Sequence, residues 1–113
     1  MTSEEIIRAY FDAYEGKPEL FDKVVSSDYI DYGHTPPGRG PQGARDDYEH
    51  AVKALGGVPT YDLDAIVADG NDNVAVVWTG HLPNGGSVTG LSLYRVSNNQ
   101  VLEIRHSIIE PKK

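Results

Sequence analysis

The sequence carries four histidines, at positions 34, 50, 81 and 106. A free imidazole titrates at about 6.5, so these are the side chains best suited to move a proton at neutral pH. His34 ends the run Tyr29-Ile30-Asp31-Tyr32-Gly33-His34 and precedes Thr35-Pro36-Pro37-Gly38-Arg39-Gly40-Pro41. Prolines remove amide donors there and glycines free the backbone, so the loop is irregular and could hold His34 in place. A proton carrier and a plain surface-loop histidine are both open readings. His106 lies in the last apolar segment, from Val101 to Glu110. Strand alternation puts Leu102, Ile104, His106 and Ile108 on one face and Glu103, Arg105, Ser107 and Ile109 on the other. The apolar face is predicted to meet the helices and to carry His106 inward, either as a satisfied core residue or as an acid–base group. A β-bulge would reverse that assignment locally. Arg105 and Glu103 then face solvent or a partner sheet. His81, beside Pro83-Asn84-Gly85-Gly86, reads as exposed.

His34 and His106 are therefore the predicted acid–base pair. Tyr14 and Tyr32 are the hydroxyls expected to donate hydrogen bonds to a small apolar ligand. Trp78 and Tyr48 are expected to wall the cavity. As core or as wall, Trp78 needs a partner for its indole N–H. Seven tyrosines against two phenylalanines suit a partly wet cavity, since tyrosine joins an apolar body to a polar tip. Metal chemistry has little support. The histidines form no His-Glu-x-x-His spacing and the chain has no cysteine, so no metal site is expected. Gly38-Arg39-Gly40 follows prolines rather than a strand, which is the wrong setting for a phosphate loop. No nucleophile-elbow motif is present.

The elements that must position these residues change character along the chain. Thr2 and Glu5 have capping-box spacing, and Ile6, Ile7, Tyr10, Phe11 and Tyr14 recur at helical spacing up to Gly16. Pro18 opens a second short helix with Leu20, Phe21, Val24 and Val25 as its stripe, and Asp28–Tyr32 reads as extended. A third helix runs from Pro41 to the Gly56-Gly57 pair, with Ala44, Tyr48, Ala51, Val52 and Leu55 on its inner face. Four strands follow, over 62–68, 73–81, 87–96 and 100–109. Asp69-Gly70, Asn84-Gly85-Gly86 and Asn98-Asn99 separate them, and these residues tolerate the positive φ of tight hairpins. Helices ahead of a four-stranded antiparallel sheet predict an α+β fold with the helices packed on one sheet face around a pocket. Val74 to Trp78 is apolar without alternation, so both faces of that strand look buried, most simply under a partner subunit's sheet.

At 113 residues the chain has the length of one domain able to bury a core without staples. A formal charge of −7 and scattered basic residues, paired only at Lys112-Lys113, argue against nucleic acid. The acidic Met-Thr-Ser-Glu-Glu start is unlike a signal peptide and no run approaches membrane-spanning length, so a cytoplasmic protein is expected.

With these residues in view, the chain resembles the SnoaL-like polyketide cyclase group of the nuclear-transport-factor-2-like superfamily. The resemblance rests on Ala9-Tyr10-Phe11-Asp12-Ala13-Tyr14, Tyr29-Ile30-Asp31-Tyr32 and Pro41-Gln42-Gly43-Ala44. It rests above all on Ala68-Asp69-Gly70 through Trp78, and on Leu93-Tyr94-Arg95-Val96 followed by Val101-Leu102-Glu103. It implies one cone-shaped SnoaL-like domain over residues 1–113, a homodimer through the outer sheet face, and cofactor-free cyclase or isomerase chemistry by aldol-type steps in an apolar pocket. It also implies an acid near the end of the last strand, a position that falls on Ile109 with Glu110 one residue beyond. Arg105 stands where the family usually has tryptophan, Tyr32 where histidine is frequent, and Ser92 at a ligand-facing position often held by aspartate. Two further readings differ in kind: a non-catalytic ligand-binding or dimerisation module, and a pure interaction domain with a filled interior.

Overall fold

Thr2 and Glu5 form the predicted capping box: Glu5 N–H donates to Thr2 Oγ1 at 3.1 Å and Thr2 N–H to Glu5 Oε1 at 2.7 Å. The helix they open, α1 (Ser3–Tyr14), buries Ile6, Ile7, Tyr10, Phe11 and Ala13. Twelve residues are marginal as an isolated helix, so this burial, about 1.5–3 kcal/mol for each large side chain, decides that α1 forms. A 3₁₀ turn (Pro18–Leu20) and the one-turn helix α2 (Phe21–Val24) lead into β1 (Val25–Asp31) and the short β2 (Gly38–Arg39). Helix α3 (Gly40–Leu55) follows, ending at Gly56 with φ 75°. The remaining strands are β3 (Thr60–Ala68), β4 (Asn73–His81), β5 (Ser87–Ser97) and β6 (Gln100–Glu110). This structure, a computed structural model, describes residues 1–110; the side chain of Glu110 and the Lys112-Lys113 pair lie outside the described residues.

The sheet is larger than expected. It has six strands in the order β2-β1-β6-β5-β4-β3, and it is mixed, because β1 runs parallel to β6. The sequence showed only the second half of β1, as the extended Asp28–Tyr32 segment, because Val24 and Val25 continue a helical stripe. The strand's own alternation is also broken by an irregularity between Val25 and Ile30. The β3–β6 meander forms as predicted, with Asn98 and Asn99 both at positive φ in its last turn.

A shift in register between Arg95 and Val96 marks a bulge in the β5–β6 ladder. It turns Val101 fully inward and leaves Leu102 only partly covered, and toward the end of the strand His106 and Ile108 are exposed, so of the predicted inward face only Ile104 is buried. Helix α3 also departs from expectation. Of its predicted inner stripe only Ala44 is fully buried, because α3 packs on β1 and β2 at the sheet edge and its last turns overhang. The core joins α1, Phe21 and Val24 to the inner face of the sheet through Tyr29, Val74, Val76, Tyr94, Val96 and Ile104. On the outer face Val67, Leu91 and Leu93 are exposed, so nothing among the described residues supplies the second layer that Val74–Trp78 suggested. Among the described residues, no helix is long and apolar enough to cross a membrane.

Candidate functional site

Between the sheet and helices α1 and α3 lies a cavity of about 110 Å³. Tyr10, Phe11 and Tyr14 of α1 line it together with Tyr61, Trp78 and Tyr94 of the strands. Its polar groups are Asp31 from β1, Asp47 from α3, Ser92 from β5 and His106 from β6. Strand pairing explains two of these positions: Trp78 sits opposite Gly90, and Ser92 opposite His106. The Trp78 indole crosses the strand over Gly90 and donates Nε1–H to Ser92 Oγ at 2.8 Å. That supplies the partner the indole required and leaves the Ser92 hydrogen free to donate. His106 lies against the loop after β1. A Cβ on Gly33 would overlap His106 Nε2 and stand 3.0 Å from Asp31 Oδ1, so the imidazole and the carboxylate border the same small space.

Asp31 is only 3% exposed, and its Oδ1 accepts the Gly33 N–H at 2.8 Å. His34 Nε2 lies 3.3 Å from Asp31 Oδ2 and 2.9 Å from Asp47 Oδ1, so one ring nitrogen serves two carboxylates. Tyr14 donates to Asp47 Oδ2 at 2.9 Å. Behind it Tyr10 and Tyr29 share a hydrogen bond of 2.6 Å, and Tyr10 reaches Tyr14 at 3.5 Å. Burial raises the phenols of Tyr10, Tyr14, Tyr29 and Tyr94 well above the usual tyrosine range, and it pushes Tyr61 up to about 12. These hydroxyls therefore remain protonated donors at any physiological pH.

The predicted residues are distributed unevenly around this site. Tyr14, Trp78, Ser92 and His106 line the cavity. His34 does not; it stands one contact behind, linking Asp31 to Asp47, and opens on a wider outer groove with Arg39, Gln42 and His50. Tyr32 points away, 43% exposed, with the Arg105 guanidinium 4.0 Å above its ring. Tyr48 packs edge-on behind Tyr14 and Phe21 and does not reach the cavity. The Tyr14 hydrogen is committed to Asp47, so Ser92 is the lining hydroxyl better placed to donate inward. Ile109 is exposed, and the acids of the site come instead from β1 and α3.

Asp47 escaped the sequence reading although it follows buried Ala44 by three residues, which is the spacing of one helix face. Asp31, His34 and Asp47 also present three groups able to ligate a cation, with their ligand atoms within 4.8 Å of one another. Expecting no metal rested on short-range spacing. Here the three groups come from a strand, a loop and a helix, a combination that such spacing cannot reveal.

A curved mixed sheet with helices closing a small cavity on one face is the architecture of nuclear-transport-factor-2-like proteins. The chain belongs to the SnoaL-like domain family, which matches residues 7–104. No curated protein matches it. Among solved structures, a cystatin-like-fold protein of unknown function from Methylobium petroleophilum PM1 is 22% identical with a TM-score of 0.78, covering 98% of this chain and 78% of that one. IdmH from Streptomyces antibioticus, "a putative polyketide cyclase", is 19% identical with a TM-score of 0.78, covering 96% and 93%. An NTF2-like protein of unknown function from Mesorhizobium loti is 21% identical with a TM-score of 0.71, covering 94% and 89%. At these identities the likeness is one of fold.

Proposed function

We propose that this protein is a cofactor-free acid–base catalyst acting on a small, largely apolar carbonyl compound. The observation that carries this reading is the juxtaposition of His106, Ser92 and Asp31 at the polar end of an otherwise aromatic cavity. In the proposed cycle His106 accepts a proton from the carbon next to the carbonyl, and the C–H electron pair passes into the enolate. The Ser92 hydroxyl, oriented by Trp78, donates to the enolate oxygen. With a β,γ-unsaturated carbonyl, return of the His106 proton to the γ-carbon completes an isomerisation; with a dicarbonyl, attack of the enolate carbon on the second carbonyl closes a ring and the His106 proton passes to the new alkoxide. His34 becomes a positioning residue that holds Asp31 and Asp47 in register. The cyclase role suggested for IdmH is compatible with this chemistry. The cavity's 110 Å³ argues for a single ring or short chain rather than a fused polycycle.

The test is proton exchange in D₂O across a panel of small ketones and β-dicarbonyls, followed by NMR. Wild-type protein should accelerate loss of the α-proton signal for at least one member, and His106→Ala should slow that exchange by about a hundredfold or more. No acceleration across the panel, or an unchanged rate in His106→Ala, would remove the proposal. A ligand-holding module without turnover is the second reading. The substitution of Ile109 for the acid expected there favours it, and saturable binding without exchange would identify it. In either case the exposed outer face carrying Val67, Leu91 and Leu93 supports a homodimer through the sheet.

A further inference from the structure

The cavity's chemistry also bears on the charge of what it holds. Its walls are Tyr10, Phe11, Tyr14, Tyr61, Trp78 and Tyr94, and its acids are Asp31 and Asp47. Among the described residues no lysine or arginine lines it, and His106 is the one lining group able to carry positive charge. Neighbouring rings pack edge to face, at 75° for Phe11–Tyr61, 79° for Tyr61–Trp78 and 70° for Tyr10–Tyr94. Together they supply most of the lining. An aromatic face carries negative charge and attracts an organic cation, most strongly in a desolvated site. The carboxylates add to that attraction. Asp31 and Asp47 share a single imidazole, so even a protonated His34 leaves the cluster negative. The chain's formal charge of −7 gives a surrounding field of the same sign. A carboxylate or phosphate ligand would find no fixed cation at the walls.

We propose that this cavity binds a methylated ammonium group. The aromatic rings surround the methyl groups, while Asp31 and Asp47 face the charge. Such a group is apolar at its surface and cationic in sum, which suits walls that are aromatic and a floor that is acidic. At about 110 Å³ the space is smaller than the apolar cavity of about 150 Å³ that holds benzene, which restricts the ligand to a compact head group. Binding of this group does not require the proton transfer proposed above, so the two stand or fall separately.

Trp78 is the only tryptophan, and its fluorescence reports on the cavity it lines. The full chain would be titrated at constant ionic strength with tetramethylammonium chloride and, in parallel, with tert-butanol. The two probes have the same number of heavy atoms and nearly the same shape, and only one is charged. The expected result is a saturable change with the cation at concentrations at least tenfold lower than with the alcohol. Asp47→Asn should weaken the cation tenfold or more and leave the alcohol's response unchanged. If Asp47→Asn fails to fold by circular dichroism, the wild-type ratio decides alone. Equal or tighter binding of tert-butanol, no saturable response to the cation, or full cation affinity in a folded Asp47→Asn variant would each overturn the proposal.

Discussion

Two glycines keep open the space that the cavity's principal side chains occupy, and they should respond differently to a methyl group. At Gly90 an added Cβ would run into the six-membered ring of Trp78. That ring is pinned by its bond to Ser92 and by edge contact with Tyr61 at 5.7 Å, so it has little room to retreat. Gly90→Ala should therefore cost about 1–3 kcal/mol in denaturant unfolding and shift Trp78 emission to the red. A variant as stable as the parent would show that the indole does not lie across β5. At Gly33 the obstructing atoms belong to the far end of His106, a side chain able to swing outward. Gly33→Ala should change stability by less than about 0.5 kcal/mol yet slow any His106-dependent exchange by about a hundredfold. Unaltered exchange would mean that the position of His106 against this loop is irrelevant to turnover. His106 and Tyr14 were legible because strand parity and helical period fix the direction of a side chain, whereas Trp78 lies in a run without alternation and was open as core or as wall. Asp31 and Asp47 were not, since their relation is created only when β1 and α3 meet at the sheet edge.

At the scale of elements, local signals survived and long-range ones did not. The Thr2–Glu5 box, the Gly56 stop and the Asn98-Asn99 turn are each written within a few residues, and each formed where the sequence put it. The parallel pairing of β1 with β6 joins segments more than 70 positions apart, such as Val25 with Val101, and an irregularity breaks its alternation. No pattern within a short window could disclose it. The same limit applies to the outer face of the sheet, where Leu93 pairs with Ala75 and Arg105 while remaining 49% exposed. Val67, at 66%, and Leu91, at 42%, extend this apolar patch across the strands. A stable interface needs about 800 Å² from each partner, a size that four adjacent strands can provide. Wild-type protein at micromolar concentration should therefore sediment at about twice the 12.3 kDa chain mass. Leu93→Lys should sediment at the chain mass with its circular dichroism unchanged, because that half-exposed side chain lies outside the core. A monomeric wild type would remove the dimer.

For the molecule as a whole, several phenols are packed into or against an otherwise hydrocarbon core, and this sets its limit at alkaline pH. Burial is the main cause that raises Tyr10, Tyr14, Tyr29, Tyr61 and Tyr94 above the unfolded value of about 10. Above that pH the unfolded chain has lost protons that the folded chain still holds, so stability falls as pH rises; below it the contribution is fully present. Each such tyrosine contributes a slope of about 1.4 kcal/mol per pH unit until its folded value is reached. Five acting together would exhaust a typical stability of about 5–15 kcal/mol within roughly one to two units above pH 10. Unfolding is therefore expected near pH 11–12, at or below the pH at which even Tyr61 would ionise in place. Absorbance at 295 nm should show these five of the seven tyrosines ionising in one cooperative step that coincides with loss of far-ultraviolet circular dichroism. Gradual ionisation of all seven with the circular dichroism intact would mean that the ring cluster admits water. In that case the cavity walls could not provide the dry, preorganised surroundings on which both cation binding and enolate stabilisation depend.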